Sequence, residues 1–244
     1  MKIAILADIH SNAPALEAVL ADLSGGACDL LVQLGDAFNG PVDPAGVARL
    51  LRGREMIHIR GNGERMVTSP NPRDRSKSAE FGRARLGAAD LEWIAAWPAT
   101  CSHAAFFACH GSPTSDEEYL LEDPIGDTTR LLPADEINRR LAGRRAPLVL
   151  CAHSHVPRVV RVAGSQIVNP GSVGLPAYRL DSPQPHLMEV GGPCARYAVA
   201  ERRSAGWRVS HVAVPYDHDQ AAALADQAGF ADWAAVLRTG YAGR

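Results

Sequence analysis

The chain contains 244 residues, 46% of them apolar, and carries a formal net charge of −2 at pH 7. This length and apolar content suit one large domain with a buried core. The near-neutral balance excludes a strongly basic surface for nucleic acid or anionic lipid. No apolar stretch is long enough to cross a bilayer and no basic segment precedes one, so we expect no membrane span and no signal peptide. The five cysteines show no C-x-x-C spacing, which favours reduced thiols in a cytoplasmic protein.

Short apolar runs alternate with helical patterns through the first 170 residues. Strands are predicted at residues 2–7, 29–34, 56–59, 104–109, 147–152 and 166–169. Helices are predicted at residues 14–23, 44–53, 88–97 and 133–143. The polar segment 70–80 contains two prolines and is predicted as a loop or the start of a helix. Strands that alternate with helices predict an α/β sandwich.

The pattern changes after residue 184. Residues 186–190, 195–203 and 207–214 read as antiparallel strands joined by turns, and residues 217–237 as a closing helix region. We expect residues 1–244 to form a single domain, with a core at 1–180 and C-terminal strands and helix at 184–244. The late hairpins could extend or cover a sheet, or form the surface of a homo-oligomer.

Polar side chains follow five consecutive predicted strands. They are Asp8 and His10, Asp36, Asn62, His110, and His153 with His155. A lone Asp or His after a strand is an ordinary turn or cap residue. Because ligands collect at the carboxyl ends of strands in such folds, the repetition at equivalent places indicates one shared site.

The donor set of these seven residues indicates a pair of metal ions. A catalytic zinc ion keeps only three protein ligands, so seven are too many for one ion. They suit two divalent or trivalent ions that share a bridging carboxylate, with water in the remaining positions. Nitrogen and oxygen donors without thiolate favour manganese, iron, zinc or nickel, with magnesium a less favoured alternative.

The ordered motifs D-x-H, G-D, G-N, H-G and H-x-H resemble those of the calcineurin-like metallophosphoesterase superfamily. The segment NPGSVGLP at 169–176 resembles the one that closes the core in the compact, YfcE-type phosphodiesterase branch. VPYD at 214–217 and the final helix resemble the tail of a subgroup whose first motif reads D-I-H-G-N. The resemblance covers almost the whole chain.

This resemblance implies a four-layer α/β/β/α sandwich with a C-terminal antiparallel hairpin and helix. It implies that the first metal ion is held by Asp8, His10, Asp36 and His155. It implies that the second is held by Asp36, Asn62, His110 and His153, with Asp36 as the bridge. The implied reaction is hydrolysis of a small phosphodiester or phosphomonoester by a metal-bridging hydroxide that attacks phosphorus.

The sequence departs from the family pattern at the general acid. Larger members read G-N-H-D or G-N-H-E, and their histidine protonates the leaving oxygen, whereas this chain has Gly63 at that position, followed by Glu64. The general acid is therefore unknown. Glu64 is a candidate, and another histidine could supply the proton, since His58, His103 and His186 have no assigned role. We expect aryl phosphodiesters or nucleotide-type anhydrides to react better than alkyl monoesters, because good leaving groups need acid assistance least.

Two asparagines complete the predicted site. Asn12 and Asn39 are predicted to contact the substrate, although Asn12 could instead cap the first helix.

Two other functions compete with the hydrolase. The first is an interaction module with little or no catalysis, as in the retromer subunit of this fold, but here all seven ligand positions are kept. The second is a protein Ser/Thr phosphatase, whose G-D-x-V-D-R-G motif is replaced here by GDAFNGP, without the arginine. A phosphodiesterase is favoured over a phosphatase.

Overall fold

Two five-stranded sheets form the centre of the computed structural model, which describes residues 1–182 and 184–243. Arg244, the last residue of the predicted C-terminal segment, lies outside the described residues.

The strands follow one another along the whole chain. They are β1 (Lys2–Leu6), β2 (Leu30–Gln33), β3 (Ile57–His58), β4 (Thr100–Ser102), β5 (Phe107–Cys109), β6 (Glu122–Ile125), β7 (Thr128–Leu131), β8 (Leu148–Leu150), β9 (Arg158–Val162), β10 (Ser165–Asn169), β11 (Ala177–Leu180), β12 (His186–Glu189), β13 (Ala195–Arg203) and β14 (Gly206–Val214). The helices are α1 (Ala13–Ser24), α2 (Pro44–Arg52), α3 (Asn62–Thr68), α4 (Lys77–Arg83), α5 (Ala88–Ala95), α6 (Ala134–Arg140), α7 (His218–Gln227) and α8 (Ala231–Thr239), with a 3-10 turn at Pro72–Asp74.

The first sheet has the order β14-β13-β1-β2-β3, in which β1, β2 and β3 are parallel and β13 and β14 are antiparallel to their neighbours. The second sheet has the order β4-β5-β8-β10-β9, with β5, β8 and β10 parallel. Two-stranded pairs β11-β12 and β6-β7 lie outside these sheets. The late hairpin β13-β14 therefore extends the first sheet, which is one of the alternatives expected for it.

Alternation of apolar side chains along β1 explains the layering. Ile3 and Ile5 face the second sheet, whereas Ala4 and Leu6 face the cluster that contains α1, α2 and α5. In the second sheet, Val149 faces outward to pack with Ile137 and the end of α6. The molecule is thus a four-layer α/β/β/α sandwich, and the predicted fold class is confirmed.

Several elements differ from the sequence-based prediction. The strand predicted at 104–109 begins at Phe107, because a tight turn between His103 and Phe106 occupies its first residues. The closing helix region is two helices, since Gly229 (φ +80°) takes the left-handed conformation between them. Helices α3 and α4 and strands β4, β6, β7, β9 and β11 were not predicted, because each is too short for a clear apolar period. In the described part of the chain, no helix is long and apolar enough to cross a membrane.

Candidate metal centre

The loops that follow β1 and β2 are joined by backbone hydrogen bonds. The Asp8 N–H donates to the Gly35 carbonyl (3.0 Å) and the His10 N–H donates to the Asp36 carbonyl (2.9 Å). These bonds bring Asp8, His10 and Asp36 to one edge of the sandwich. The loops after β5 and β8 deliver further histidines to the same edge.

Six of the seven predicted ligand residues form two neighbouring groups. In each group, the candidate ligand atoms lie within 4.8 Å of one another. The first group is Asp8, His10 and His155, and the second is Asp36, His110 and His153. The seventh residue, Asn62, adjoins the second group, because its Oδ1 lies 3.1 Å from His110 Nε2.

The two groups are in contact with each other. Asp8 Oδ1 lies 3.6 Å from His155 Nε2 and 4.0 Å from His110 Nε2, and Asp36 Oδ1 lies 3.5 Å from His110 Nε2. Asp36 is grouped with His110 and His153, and its bridging role stays a prediction.

Two imidazoles of the first group face each other with unprotonated nitrogens. His10 Nδ1 donates to the Asn39 carbonyl (3.1 Å), and His155 Nδ1 donates to the Leu175 carbonyl (2.7 Å). Burial lowers the pKa of His10 and lowers that of His155 well below its usual value, so both rings are neutral. Each ring then carries its only proton on Nδ1, and the two Nε2 atoms, 3.1 Å apart, direct lone pairs at one another.

Asp8 lies beside these lone pairs and lacks a hydrogen-bonding partner. Its side chain is fully buried, and no donor in the described residues reaches hydrogen-bonding geometry with either carboxylate oxygen. Burial raises the pKa of Asp8 well above its ordinary value, against the opposing influence of His110 and the nearby backbone N–H of His153. A cluster of buried acceptors without donors fits a cation, which would satisfy all of them at once.

In the second group, the carboxylate and the imidazoles shift one another's pKa values. Burial would raise the pKa of Asp36, but His110, His10 and His153 outweigh burial and lower it. Burial would lower the pKa of His110, but Asp36 and Asp8 raise it. Burial lowers the pKa of His153 to about 3, which leaves its ring neutral and able to bind a metal ion.

The backbone at this edge is left-handed rather than extended. Asp8, His10, Asp36, His153 and His155 have φ values between +49° and +69°. In an extended segment alternate residues would also share a face, but the D-x-H and H-x-H pairs do not lie in extended backbone. Their side chains converge because the chain turns tightly after each strand, a conformation that is strained for residues other than glycine.

In this structure the carboxylate of Glu64, the candidate general acid, accepts hydrogen bonds from backbone N–H groups. It is fully buried, and its carboxylate accepts N–H groups from Asp36 (2.7 Å), Ala37 (2.6 Å) and Gly61 (2.9 Å). Burial and the nearby Asp36 raise the pKa of Glu64 to about 7, although the hydrogen bonds from these three N–H groups act to lower it. The contacts join the loop after β2 to the start of α3, and a proton-donor role for Glu64 stays a prediction.

Asn39 fills the space beside Gly63, the position of the family histidine. A Cβ atom on Gly63 would overlap the side-chain amide of Asn39. Asn39 lines the cavity over the metal-ligand groups, its Nδ2 lies 3.5 Å from Asp36 Oδ2, and its Oδ1 is buried without a described partner. This position is compatible with its predicted contact to the substrate.

Asn12, by contrast, is used by the fold. Its Oδ1 accepts the Ala15 N–H and so caps α1, and its Nδ2 donates to the Gly174 carbonyl (2.9 Å) and to the Tyr216 hydroxyl (3.0 Å). A substrate contact for Asn12 stays a prediction, but its side chain already has partners at both atoms.

A cavity of about 700 Å³ opens over both groups. Among its lining residues are His10, Asp36, Asn62, His153 and His155 of the predicted set. The cavity is also lined by Tyr119, Arg140, Tyr178 and Arg179, which the sequence did not single out, and by His186, one of the three histidines without an assigned role. Tyr178 lies two residues after the NPGSVGLP segment and Tyr119 follows the H-G motif, and these positions along the chain were the available signal.

The comparisons with known proteins identify the family. A model of the calcineurin-like phosphoesterase superfamily domain matches residues 1–188. The chain belongs to the calcineurin-like phosphoesterase superfamily. Members of this superfamily are metal-dependent phosphoesterases, and the two candidate ligand groups agree with the two-metal centre of the family.

Several solved structures are similar to this chain. A metallophosphoesterase from Sphaerobacter thermophilus is 26% identical, with a TM-score of 0.76 over 98% of this chain and 99% of that chain. A hypothetical protein from Pyrococcus horikoshii OT3 is 18% identical, with a TM-score of 0.72 over 99% of each chain. YfcE, a phosphoesterase from E. coli, is 20% identical, with a TM-score of 0.44 over 88% of this chain and 100% of that chain. None of the curated proteins compared with the chain matches it.

Proposed function

We propose that the protein is a two-metal phosphoesterase that hydrolyses small phosphodiesters in preference to phosphomonoesters. The observation that carries this proposal is the buried cluster of acceptors, in which the Nε2 atoms of His10 and His155 face each other at 3.1 Å beside the unpartnered Asp8 carboxylate. Without a cation this arrangement has a high desolvation cost, so it supports a site built for metal.

The chain's own residues would hold the metal ions in two adjoining sets. Asp8, His10 and His155 form the first set. Asp36, Asn62, His110 and His153 form the second. Bound metal ions of this kind lower the pKa of water and neutralise charge that develops on phosphoryl oxygens. Manganese, iron, zinc or nickel suits these nitrogen and oxygen donors.

The remaining cavity supports a substrate larger than inorganic phosphate. About 700 Å³ lies within the range of sites that bind small organic molecules. Because Gly63 offers no proton donor, we expect leaving groups of low pKa, such as nitrophenols or phosphoanhydrides, to react fastest.

Turnover of artificial esters by the metal-stripped protein tests the proposal. Bis-p-nitrophenyl phosphate and p-nitrophenyl phosphate are assayed with manganese, nickel, zinc or magnesium added back separately. We expect metal-dependent turnover, faster for the diester. In Asp36→Asn and His110→Ala, the loss should exceed the roughly 10–100-fold typical of outer-shell changes. Asp219→Asn, an exposed change on α7, should keep wild-type turnover. No turnover with any metal, or undiminished turnover in both site variants, would contradict the proposal.

A further inference from the structure

A chain of hydrogen bonds runs along one wall of the metal cavity. The Tyr178 hydroxyl donates to the His153 carbonyl (3.1 Å) and lies 2.8 Å from the Tyr119 hydroxyl. The Tyr119 hydroxyl lies 2.9 Å from His186 Nε2, and His186 Nδ1 donates to the Gln184 carbonyl (2.7 Å). All three side chains line the cavity, and His186 and Tyr119 are 3% and 8% exposed.

The hydrogen bonds of this chain can be counted against the hydrogens that its side chains supply. The chain ends at two carbonyl oxygens, which only accept, so its four hydrogen bonds need four hydrogens. The two tyrosines and a neutral imidazole supply three. One further proton on His186 would supply the fourth: the ring would then donate through both nitrogens, Tyr119 to Tyr178, and Tyr178 to the His153 carbonyl. The fully bonded chain can therefore hold one extra proton.

Packing holds the two hydroxyls beside the candidate ligands. The Tyr119 ring stacks on the His153 ring with centroids 4.9 Å apart, and the Tyr178 ring meets His155 edge-on at 4.7 Å. His186 meets the other side of the Tyr119 ring at 5.6 Å. Arg140 donates to the Tyr119 carbonyl (2.6 Å), which fixes the backbone of that residue. This hydrogen-bonded chain thus lines the metal cavity of a protein that has Gly63 in place of the family's proton-donating histidine.

We propose that Tyr119 protonates the leaving oxygen and that His186 replaces the proton on Tyr119, an inference that rests on the proposed phosphodiesterase function. The hydroxyl hydrogen of Tyr119 turns from Tyr178 to the leaving oxygen. The P–O bond to the leaving group breaks, its electron pair goes to the leaving oxygen, and that oxygen takes this hydrogen. The Nε2 proton of His186 passes to the Tyr119 oxygen. His186 ends the step as a neutral imidazole and regains its proton from water. Tyr119 is the catalytic residue, and His186 acts through it.

The dependence of the rate on the leaving group tests this assignment. kcat/KM is measured for methyl p-nitrophenyl phosphate and methyl phenyl phosphate in the wild-type protein, Tyr119→Phe and His186→Gln. Phenoxide is the poorer leaving group and needs the proton more. We expect each variant to lose about 100-fold or more on the phenyl ester and no more than about threefold on the p-nitrophenyl ester. Gln keeps a donor toward Tyr119, so His186→Gln is the milder change for folding.

The outcomes separate this proposal from the proposed function. His103→Gln, in the β4–β5 turn, is the matched histidine control and should change neither rate. Equal losses on the two esters in both variants, or no loss on either, would overturn the roles of Tyr119 and His186 while leaving the phosphodiesterase intact. Failure of the wild-type protein to hydrolyse the p-nitrophenyl ester with any metal would contradict the proposed function and this assignment together.

Discussion

Asp8 carries two unfavourable features when no metal is bound, one in its backbone and one in its side chain. Its φ of +53° lies in the left-handed region, which costs on the order of 1 kcal/mol or more for a residue with a Cβ atom. Its carboxylate is buried without a hydrogen bond, close to Asp36. Asp8 therefore lowers the stability of the metal-free fold and provides a ligand for a cation.

Replacement of Asp8 by Asn should therefore stabilise the metal-free protein. Asparagine tolerates the left-handed region better than most residues, removes the buried charge, and can donate to the unprotonated Nε2 atom of His155. We expect the free energy of unfolding to rise by about 1–3 kcal/mol in urea titrations of stripped protein, with metal binding lost. Asp219→Asn serves as the exposed control. A metal-free Asp8→Asn protein less stable than the wild type would show that Asp8 is not strained.

At the scale of single residues, the sequence predicts which side chains come together but not the backbone and ring geometry in which they do so. Spacing after five strands was sufficient to predict that Asp8, Asp36 and His110 come together, because ligands collect at the carboxyl ends of strands, here β1 and β2 of the first sheet and β5 of the second. The left-handed turns and the facing Nε2 atoms could not be predicted. The facing Nε2 atoms depend on the backbone carbonyls of Asn39 and Leu175, which become neighbours of the two rings only in the folded chain.

Among the elements, α3 is positioned by one buried carboxylate. Glu64 ties the first turn of α3 to the loop after β2 through three backbone N–H groups, and Asp36 Oδ1 in turn accepts the Gly63 N–H (2.6 Å). The segment that carries Asn62 is thereby locked to the segment that carries Asp36.

Glu64→Gln should weaken this junction, because an amide offers one acceptor oxygen and turns a donor toward the backbone N–H groups. We expect a loss of about 1.5–3 kcal/mol in stability, measured by urea denaturation. Turnover of the p-nitrophenyl and phenyl esters should fall by the same factor. A selective loss on the phenyl ester would instead assign the proton-donor role to Glu64.

The predictability of elements follows their length and their apolar pattern. Helix α1 was placed to within one residue at each end, because Pro14 and the glycines after Ser24 mark its limits. Helix α3 was missed because its seven residues contain only two apolar side chains, Met66 and Val67, and its start is a turn motif in the sequence.

For the whole molecule, the C-terminal hairpin is a structural part of the sandwich. Strand β13 pairs with β1 along Lys2–Ile5, and Ala198 and Ala200 lie in the core between the two sheets. The family match ends at residue 188, before this strand. The four layers agreed with the family resemblance, whereas pairing of β13 with β1 is a long-range contact that local sequence patterns do not encode.

A chain that ends at residue 188 should therefore fail to form a packed native state. Without β13, the edge of β1 loses its partner and the inter-sheet core loses Ala198, Ala200 and Trp207. A chain that ends at residue 217 keeps both sheets and lacks only α7 and α8, so it is the matched control and should fold. Dispersed NMR spectra and a cooperative thermal transition for the 1–188 chain would contradict this view of the molecule.

The central claim, that the converging loops bind two metal ions, is tested most directly by anomalous X-ray scattering from crystals soaked in manganese. We predict two peaks per chain, each at ligand distance of roughly 2.0–2.3 Å from its set. One peak should touch Asp8, His10 and His155, and the other Asp36, His110 and His153. A single peak, or none at this edge of the sandwich, would contradict a two-metal phosphoesterase.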